Sequence, residues 1–246
     1  MIKVGVLGAS GKMGSAVCAA VDAADDLELA ARVDVDDSVK ALTGVDVAVD
    51  FTSPAAVMYN VDWCISAGVH AVVGTSGFTD DRLDSLRQRL SSTDRVGVLV
   101  VPNFSVGAVL MMRFAAQAAQ FYESVEIVEL HHPTKVDAPS GTARRTAELV
   151  AAARADAGSG PVPDASVDVL PGARGVRIDG IAVHSVRLRG LVAHQEVLFG
   201  GVGETLMIRH DSLDRESFMP GVLAAVRAVP TLPGLTIGLE KILGLD

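Results

Sequence analysis

The sequence contains little that would support an extracellular or membrane-spanning protein. Its only two cysteines, Cys18 and Cys64, fall in apolar segments that we predict to be helical, which excludes a disulfide-stabilised scaffold. No apolar run approaches the ~20 residues that a membrane-spanning helix needs, and the segment after Met1 lacks the apolar region of a secretory signal. We therefore expect a cytoplasmic protein with no membrane partner.

Basic residues are also scarce. The chain has 21 Lys and Arg against 30 Asp and Glu, a formal net charge of -9, and no long basic cluster. A surface that follows nucleic-acid phosphates needs such a cluster, so we expect no nucleic-acid partner. Aromatic residues make up only 4%, but 49% of the 246 residues are hydrophobic, which is enough for a folded core. This length suits either one large domain or two lobes.

The first hundred residues alternate short apolar runs with longer helical patterns. The runs IKVGVLG, LELAARVD, VDVAVD, HAVVGT and VGVLVVP have the near-continuous apolar character of strands covered on both faces of a parallel sheet. We predict helix starts at Ser53-Pro54 and at Thr79, which is followed by two acids. These starts place Phe51-Thr52 and the Gly74–Gly77 loop at the carboxyl edge of the sheet, where open α/β sheets bind ligands.

The segment VGVLGASGKMG has glycines at positions 8, 11 and 14 between a predicted strand and a predicted helix. Backbone N–H groups and the positive end of a helix meet a dinucleotide pyrophosphate at such a turn. The spacing differs from the usual G-x-G-x-x-G, and glycine could serve only the turn geometry. Asp34 lies twenty residues after Gly14 at the end of the next strand, where an acid accepts hydrogen bonds from the adenosine ribose. The ordered set predicts dinucleotide binding.

The pattern changes near residue 105. A long apolar helix is followed by the strand SVEIVEL, a helix over TARRTAELVAAARA and a Gly/Pro-rich loop. GIAVHSVRLRG, AHQEVLFGG and ETLMIRHDS then alternate as antiparallel strands do. We interpret this region as a second lobe, and we expect the C-terminal tail to return to the first one.

The stretch HHPTKVDAPSGTA, residues 131 to 143, concentrates polar chemistry in one loop. Pro133 stops the preceding strand, so His131 and His132 should lie at its end, where a histidine can donate a proton. Lys135 supplies positive charge or a second proton. Pro139 and Ser140 prepare a helix start at which the Gly141 and Thr142 amides and nearby hydroxyl groups can hold an anion. The stretch predicts an anion pocket with a proton donor.

Other interpretations of these residues are weaker. A histidine pair can be a surface feature, but a metal site needs a third ligand at suitable spacing, and none is present, so we predict no metal. A non-catalytic dinucleotide-binding regulator would not need a proton donor and an anion cradle on one loop. An aldehyde dehydrogenase would need a cysteine nucleophile in a loop or at a helix start, whereas both cysteines are predicted to lie within helices.

Five segments together resemble the dihydrodipicolinate reductase (4-hydroxy-tetrahydrodipicolinate reductase) family of bacterial diaminopimelate and lysine biosynthesis. They are GASGKMG, VDFTSP, VVGTSGF, VPNFSVG and ELHHPTKVDAPSGTA, in this order along essentially the whole chain. The resemblance implies reduction of a cyclic dicarboxylate to tetrahydrodipicolinate with NADH or NADPH. It also implies an α/β fold with a Rossmann-type parallel-sheet lobe (1–104 and 213–246). An α+β lobe with a mixed, largely antiparallel sheet (105–212) would bind the substrate and build a homotetramer.

The resemblance also implies roles for individual residues. His131 would be the proton donor or acceptor, and Lys135 a proton donor and carboxylate partner. The substrate would be held by His132, Ser140, Gly141, Thr142 and Ser76. The cofactor would be lined by Gly8, Ala9, Ser10, Gly11, Lys12, Met13, Gly14, Asp34, Phe51, Gly74, Thr75, Ser76, Val101, Pro102, Asn103 and Phe104. Val35 stands where some members carry an arginine, so we expect no strong preference for NADPH.

Overall fold

The computed structural model describes residues 1–93 and 95–245. The chain divides into two units, Met1–Val106 with Arg215–Asp246, and Gly107–Asp214. The strands are β1 Ile2–Leu7, β2 Leu27–Val33, β3 Val47–Asp50, β4 His70–Val73, β5 Gly97–Val100, β6 Ser124–His131, β7 Val176–Ile178, β8 Ile181–Arg187, β9 Ala193–Gly201, β10 Glu204–Ser212 and β11 Gly234–Ile237. The α-helices are α1 Lys12–Asp22, α2 Val57–Ala67, α3 Asp80–Leu90, α4 Val106–Ala119, α5 Gly141–Asp156 and α6 Met219–Ala228.

The first unit is built on a six-stranded parallel sheet in the order β11-β5-β4-β3-β1-β2. All four residues of β3 and of β5 are buried, as expected for strands covered on both faces. The C-terminal tail supplies α6 and the edge strand β11, and Arg227 in α6 forms an ion pair with Asp26 near the start of β2. The parallel sheet predicted from the apolar runs is confirmed.

The second unit contains a mixed sheet in the order β10-β9-β6-β8-β7. Only β6 and β8 are parallel, and the other neighbouring pairs are antiparallel. On β6, Val125, Ile127 and Glu129 are buried while the residues between them are half-buried, so alternate side chains face opposite sides of the sheet. The mixed, largely antiparallel sheet agrees with the predicted fold class.

The helix starts show where local sequence signals hold and where they fail. The hydroxyl groups of Thr79 and Ser140 accept hydrogen bonds from the backbone N–H of Arg82 and Ala143, so both are N-caps. The predicted start at Ser53-Pro54 is wrong, because the Ser53 carbonyl closes a turn and α2 begins at Val57. Within the described residues, no helix has the length and apolar character needed to cross a membrane.

Candidate active site

The glycine-rich turn between β1 and α1 brings backbone groups into close contact. Gly8 has a φ of +76°, a left-handed conformation that favours glycine. A Cβ atom on Gly14 would lie 2.0 Å from the Gly8 carbonyl oxygen, so only glycine lets the helix pack this closely on the turn. Gly11 is the N-cap of α1 and offers no side chain to the first-turn amides. Those amides are therefore available to an anion, which fits a dinucleotide pyrophosphate.

Asp34 lies beside this turn. Its carboxylate accepts hydrogen bonds from the Ser10 backbone N–H, at 3.1 Å to each oxygen, and from the Ser10 hydroxyl group at 2.8 Å. The sequence predicted that Asp34 and the glycine turn bind the same dinucleotide. The structure adds that Asp34 and the turn are also hydrogen bonded to each other through Ser10. Lys12 is exposed at the first position of α1, and the Val35 side chain is 96% exposed. Ser10, Lys12 and Asp34 thus place polar groups and both signs of charge at the turn.

Two phenylalanines enclose the next loop of the same sheet edge. The rings of Phe51 and Phe104 have centroids 5.5 Å apart and are tilted by 50°. A Cβ atom on Gly74 would lie 2.2 Å from the Phe51 ring and 2.8 Å from the Phe104 ring, so the loop passes the rings only because residue 74 is glycine. Pro102 and Ser76 are exposed, and the Asn103 side chain accepts a hydrogen bond from the Ser105 N–H. The predicted cofactor residues after β3, β4 and β5 thus follow neighbouring strand ends.

A buried carboxylate that the sequence reasoning missed holds these loops in place. Asp50, at the end of β3, is 2% exposed. Its Oδ1 accepts hydrogen bonds from the Thr52 N–H (3.0 Å), the Thr52 hydroxyl (2.7 Å) and the Thr75 hydroxyl (2.6 Å). Its Oδ2 accepts one from the Asn60 amide at 2.8 Å. Asp50 therefore fixes the two loops that carry Phe51 and Gly74.

In the second unit, His131 lies at the end of β6 and its ring is tied to a buried carboxylate. Nδ1 of His131 is 2.5 Å from Oε2 of Glu129, whose side chain is fully buried. Burial lowers the pKa of His131, and Lys135 and Arg187 add to this, while the hydrogen bond and charge of Glu129 oppose it. The pKa of His131 is therefore below the usual histidine value, and Glu129 is the neighbour that keeps it from falling further.

Arg187, at the end of β8, clamps the same carboxylate from the neighbouring strand. Its two terminal nitrogens donate to the two oxygens of Glu129, each at 2.8 Å, in a bidentate pair. It also donates to the backbone carbonyl of Asp137 at 2.6 Å. Glu129 and Arg187 were both absent from the sequence prediction. For Glu129 a signal existed, because a charged residue alternates with Val125 and Ile127 on the inner face of a strand.

Lys135 and the start of α5 converge on one carboxylate. The Lys135 ammonium donates to Oδ1 of Asp137 at 2.7 Å, and the Gly141 backbone N–H also hydrogen bonds to Asp137. Burial by itself would raise the pKa of Asp137, but these hydrogen bonds outweigh it and hold the pKa below its usual value. Two residues predicted to bind a substrate carboxylate thus already bind a carboxylate of the chain.

The other residues of the motif have varied surroundings. The His132 ring nitrogen Nδ1 is 2.8 Å from the Thr134 hydroxyl, and His132 follows the last residue of β6. Ser140 is 3% exposed, and its hydroxyl group caps α5. Thr142 is half-buried in the first turn of that helix. Within residues 1–93 and 95–245, no group of three or more His, Cys, Asp or Glu residues is arranged to hold a metal ion.

Comparisons with known proteins cover both units. The family model described as "Dihydrodipicolinate reductase, N-terminus" matches residues 2–104, and the model described as "Dihydrodipicolinate reductase, C-terminus" matches residues 107–243. The chain is 63% identical to the 4-hydroxy-tetrahydrodipicolinate reductase of Cutibacterium acnes over 246 residues, which is 100% of both chains. It is 61% identical to that of Thermobifida fusca, again over 100% of both.

A solved structure agrees with these relatives. The dipicolinate-bound dihydrodipicolinate reductase from Paenisporosarcina sp. TG-14 superimposes with a TM-score of 0.86 at 38% identity, covering 98% of this chain and 99% of that one. The similarity therefore extends over both sheets and over the glycine turn and the histidine motif. The chain belongs to the dihydrodipicolinate reductase family.

Proposed function

We propose that the chain reduces 4-hydroxy-tetrahydrodipicolinate to tetrahydrodipicolinate with NADH or NADPH, in diaminopimelate and lysine biosynthesis. The observation that carries the proposal is the convergence of Lys135 and the Gly141 amide on one carboxylate, that of Asp137, in the loop that follows His131. Relatives at about 60% identity carry this activity in their names. The solved relative binds dipicolinate, a planar ring with two carboxylates, which supports a dicarboxylate substrate here.

The first unit is assigned to the nicotinamide cofactor. In the proposal, the first-turn amides of α1 bind the pyrophosphate, and Asp34 accepts hydrogen bonds from the adenosine ribose. Gly74 and the loops that follow β3, β4 and β5 line the rest of the dinucleotide. When bound, the cofactor supplies a hydride, that is, two electrons and a proton equivalent, to the substrate ring. Ser76 is assigned to the substrate.

The second unit is assigned to the dicarboxylate and the proton. Lys135 and the Gly141 amide leave the Asp137 carboxylate and bind a substrate carboxylate, with His132, Ser140 and Thr142 nearby. The positive charge of Lys135 and the helix start favour a dianion over a neutral ring. His131 donates from Nε2 the proton that balances the hydride, and the hydroxyl group of the substrate leaves as water. This chemistry is pH-dependent, because the donor must be protonated while the substrate carboxylates stay ionised.

The test is a coupled assay with purified protein, in which the preceding aldol-condensing synthase generates the substrate and nicotinamide oxidation is followed. We expect His131→Ala and Lys135→Ala each to lower turnover by about 10² to 10⁴-fold with the fold intact, the usual contribution of a positioned acid. Lys135→Ala should also raise KM for the substrate. Lys241→Ala, at an exposed lysine of the tail, is the matched control. Near-normal turnover of both variants at saturation would remove the motif from the chemistry.

We also propose that the second unit assembles a homotetramer in the cytoplasm through the face of its sheet opposite Val125 and Ile127. Val128, Leu130 and Leu198 are half-buried on that face, and Met207 on the edge strand β10 is 54% exposed. An exposed apolar face with an open edge favours association. Light scattering should give a tetramer at micromolar concentration, and Met207→Glu should shift it to smaller species. A monomer mass for the unmodified chain would exclude the assembly.

A further inference from the structure

We propose that Glu129, clamped by Arg187, is a positioning residue that fixes a proton on Nδ1 of His131 and leaves Nε2 as the atom that exchanges a proton with substrate. The inference rests on the proposed function, in which His131 is the proton donor. It adds two residues, neither of which belongs to the motif of residues 131–143.

The geometry around Glu129 leaves none of its oxygens free. Oε1 accepts hydrogen bonds from Nη2 of Arg187 (2.8 Å) and from the Ser140 backbone N–H (3.2 Å). Oε2 accepts from Nη1 of Arg187 (2.8 Å) and lies 2.5 Å from Nδ1 of His131. The carboxylate is fully buried, so these contacts replace all of its water. A carboxylate held at four points cannot rotate away from the histidine ring without leaving a buried polar group unpaired.

The ionisation of Glu129 decides which histidine nitrogen carries the proton. Burial by itself would raise the pKa of Glu129, but hydrogen bonds from Arg187, Ser185 and His131 outweigh it and hold the pKa below the usual value of 4.5. The group is therefore ionised near neutral pH, and an ionised carboxylate only accepts hydrogen bonds. Nδ1 of His131 must then bear a hydrogen. In the neutral ring the lone pair lies on Nε2, which becomes the position that gains and loses a proton.

The charges that face His131 explain why Glu129 matters for proton donation. Lys135 on the loop and Arg187 on β8 both disfavour the imidazolium, as does burial, and Glu129 on β6 favours it. When Nε2 donates, its N–H bond breaks, the electron pair stays on Nε2, and the proton goes to the substrate. The Nδ1–H bond is retained and remains directed at Glu129. Without the carboxylate, His131 would be neutral at a pH where it now donates.

The chain contains a matched control for this trio. Glu126 lies three residues earlier on β6, on the opposite face of the sheet, and also joins an arginine to a histidine. It pairs with Arg174 and lies 2.8 Å from Nε2 of His184. Glu126→Gln therefore removes the same charge from an arginine–histidine network on the other face of the sheet, although Glu126 is half-buried and Glu129 is fully buried. A variant at this position separates loss of an ion pair on β6 from loss of the His131 contact.

The experiment combines histidine ring nitrogen NMR with pH profiles of the full-length protein. The His131 signal is assigned by its absence in His131→Gln. We expect Nδ1 to be protonated in the unmodified protein and Nε2 to titrate. In Glu129→Gln we expect the His131 pKa to fall by about one unit, the effect of losing one close counter-charge. The high-pH limb of kcat/KM should move down equally and kcat should fall at least tenfold, while KM for the cofactor stays unchanged. Glu126→Gln should leave the His131 signals unchanged.

A second variant keeps the outcome decisive if Glu129→Gln fails to fold. Glu129→Asp retains the charge that Arg187 holds but withdraws the carboxylate by one methylene, so we expect the neutral ring to shift toward Nε2 protonation. An unchanged tautomer and an unchanged His131 pKa in the folded variant, even with activity lost, would mean that Glu129 acts only structurally and would overturn the proposal. Normal turnover of His131→Ala would instead refute the proposed function. The two failures are distinguishable, because the NMR result does not depend on turnover.

Discussion

Replacing Asp50 with asparagine should destabilise the first unit, although the shape of the side chain hardly changes. The carboxylate accepts three hydrogen bonds at Oδ1, from Thr52 and Thr75, and one at Oδ2, from Asn60. An asparagine can keep its oxygen toward the three donors only by turning its NH₂ group toward the Asn60 amide, which is also a donor in this contact. At least one buried hydrogen bond is therefore lost and two donors face each other.

The magnitude follows from these contacts. A buried donor left without a partner costs about 1 to 3 kcal/mol, and hydrogen bonds to a charged group are worth about 1.5 to 3 kcal/mol, more than neutral ones. Because Asp50→Asn loses one partner and the charge at the other contacts, we expect the free energy of unfolding to fall by about 2 to 4 kcal/mol. The loops that carry Phe51 and Gly74 should loosen as well, which weakens dinucleotide binding by about tenfold, or ~1.4 kcal/mol.

Urea unfolding and cofactor titration by fluorescence measure both effects. Asp22→Asn is the control, because Asp22 is a surface aspartate, 53% exposed and paired with Arg32. We expect it to change the free energy of unfolding by less than about 1 kcal/mol. If Asp50→Asn were as stable as Asp22→Asn and bound NADH normally, the hydrogen bonds at Asp50 would not hold the loops and the reasoning would be refuted.

Four further substitutions test other contacts. Asp34→Ala should shift the ratio of kcat/KM for NADH over NADPH toward NADPH by about 1 to 2 kcal/mol, because a charge that repels the 2′-phosphate is removed. Lys12→Ala should shift the same ratio toward NADH. A hundredfold preference for NADPH in the unmodified protein would contradict the role given to Asp34. Asp137→Asn should lower KM for the dicarboxylate several-fold, since the Lys135 ammonium no longer pairs with an internal carboxylate. A raised KM would show instead that the Lys135–Asp137 pair organises the loop. Arg154→Met should lower the free energy of unfolding in urea by about 2 to 4 kcal/mol, because the buried guanidinium donates to four backbone carbonyls. An unchanged free energy of unfolding would exclude that anchoring role.

Much of the fold could be predicted because its strands have strong local patterns. The buried strands of the parallel sheet are continuous apolar runs, and the strands of the mixed sheet alternate, so periodicity alone separates the two. The short strand β11 was not predicted, since GLTI is four residues long and becomes a strand through pairing with β5. The start of α2 was misplaced because Ser53-Pro54 also suits a turn, and the local signal does not choose between them.

The candidate site divides in the same way between local and distant information. The glycine turn, Asp34 and the histidine motif were found because each is a short segment whose chemistry is visible in sequence. Arg187 could not be found, because it is 58 residues from Glu129 and meets it only through the parallel register of β6 and β8. An arginine near the end of a strand has no local feature that marks it as a partner of a buried acid.

Asp50 and Glu129 share a physical logic that explains why both were difficult to predict and why both matter. Each is a buried carboxylate near the carboxyl end of a strand, the edge from which loops depart in a parallel pair. A buried charge needs several donors to offset its lost hydration. Some of those donors come from loops, namely Thr52 and Thr75 for Asp50 and the Ser140 backbone N–H for Glu129. If the loop moved, the buried carboxylate would lose a hydrogen bond, so the carboxylate stabilises one position of the loop. Other side chains on that loop are thereby held in place without contacting the carboxylate.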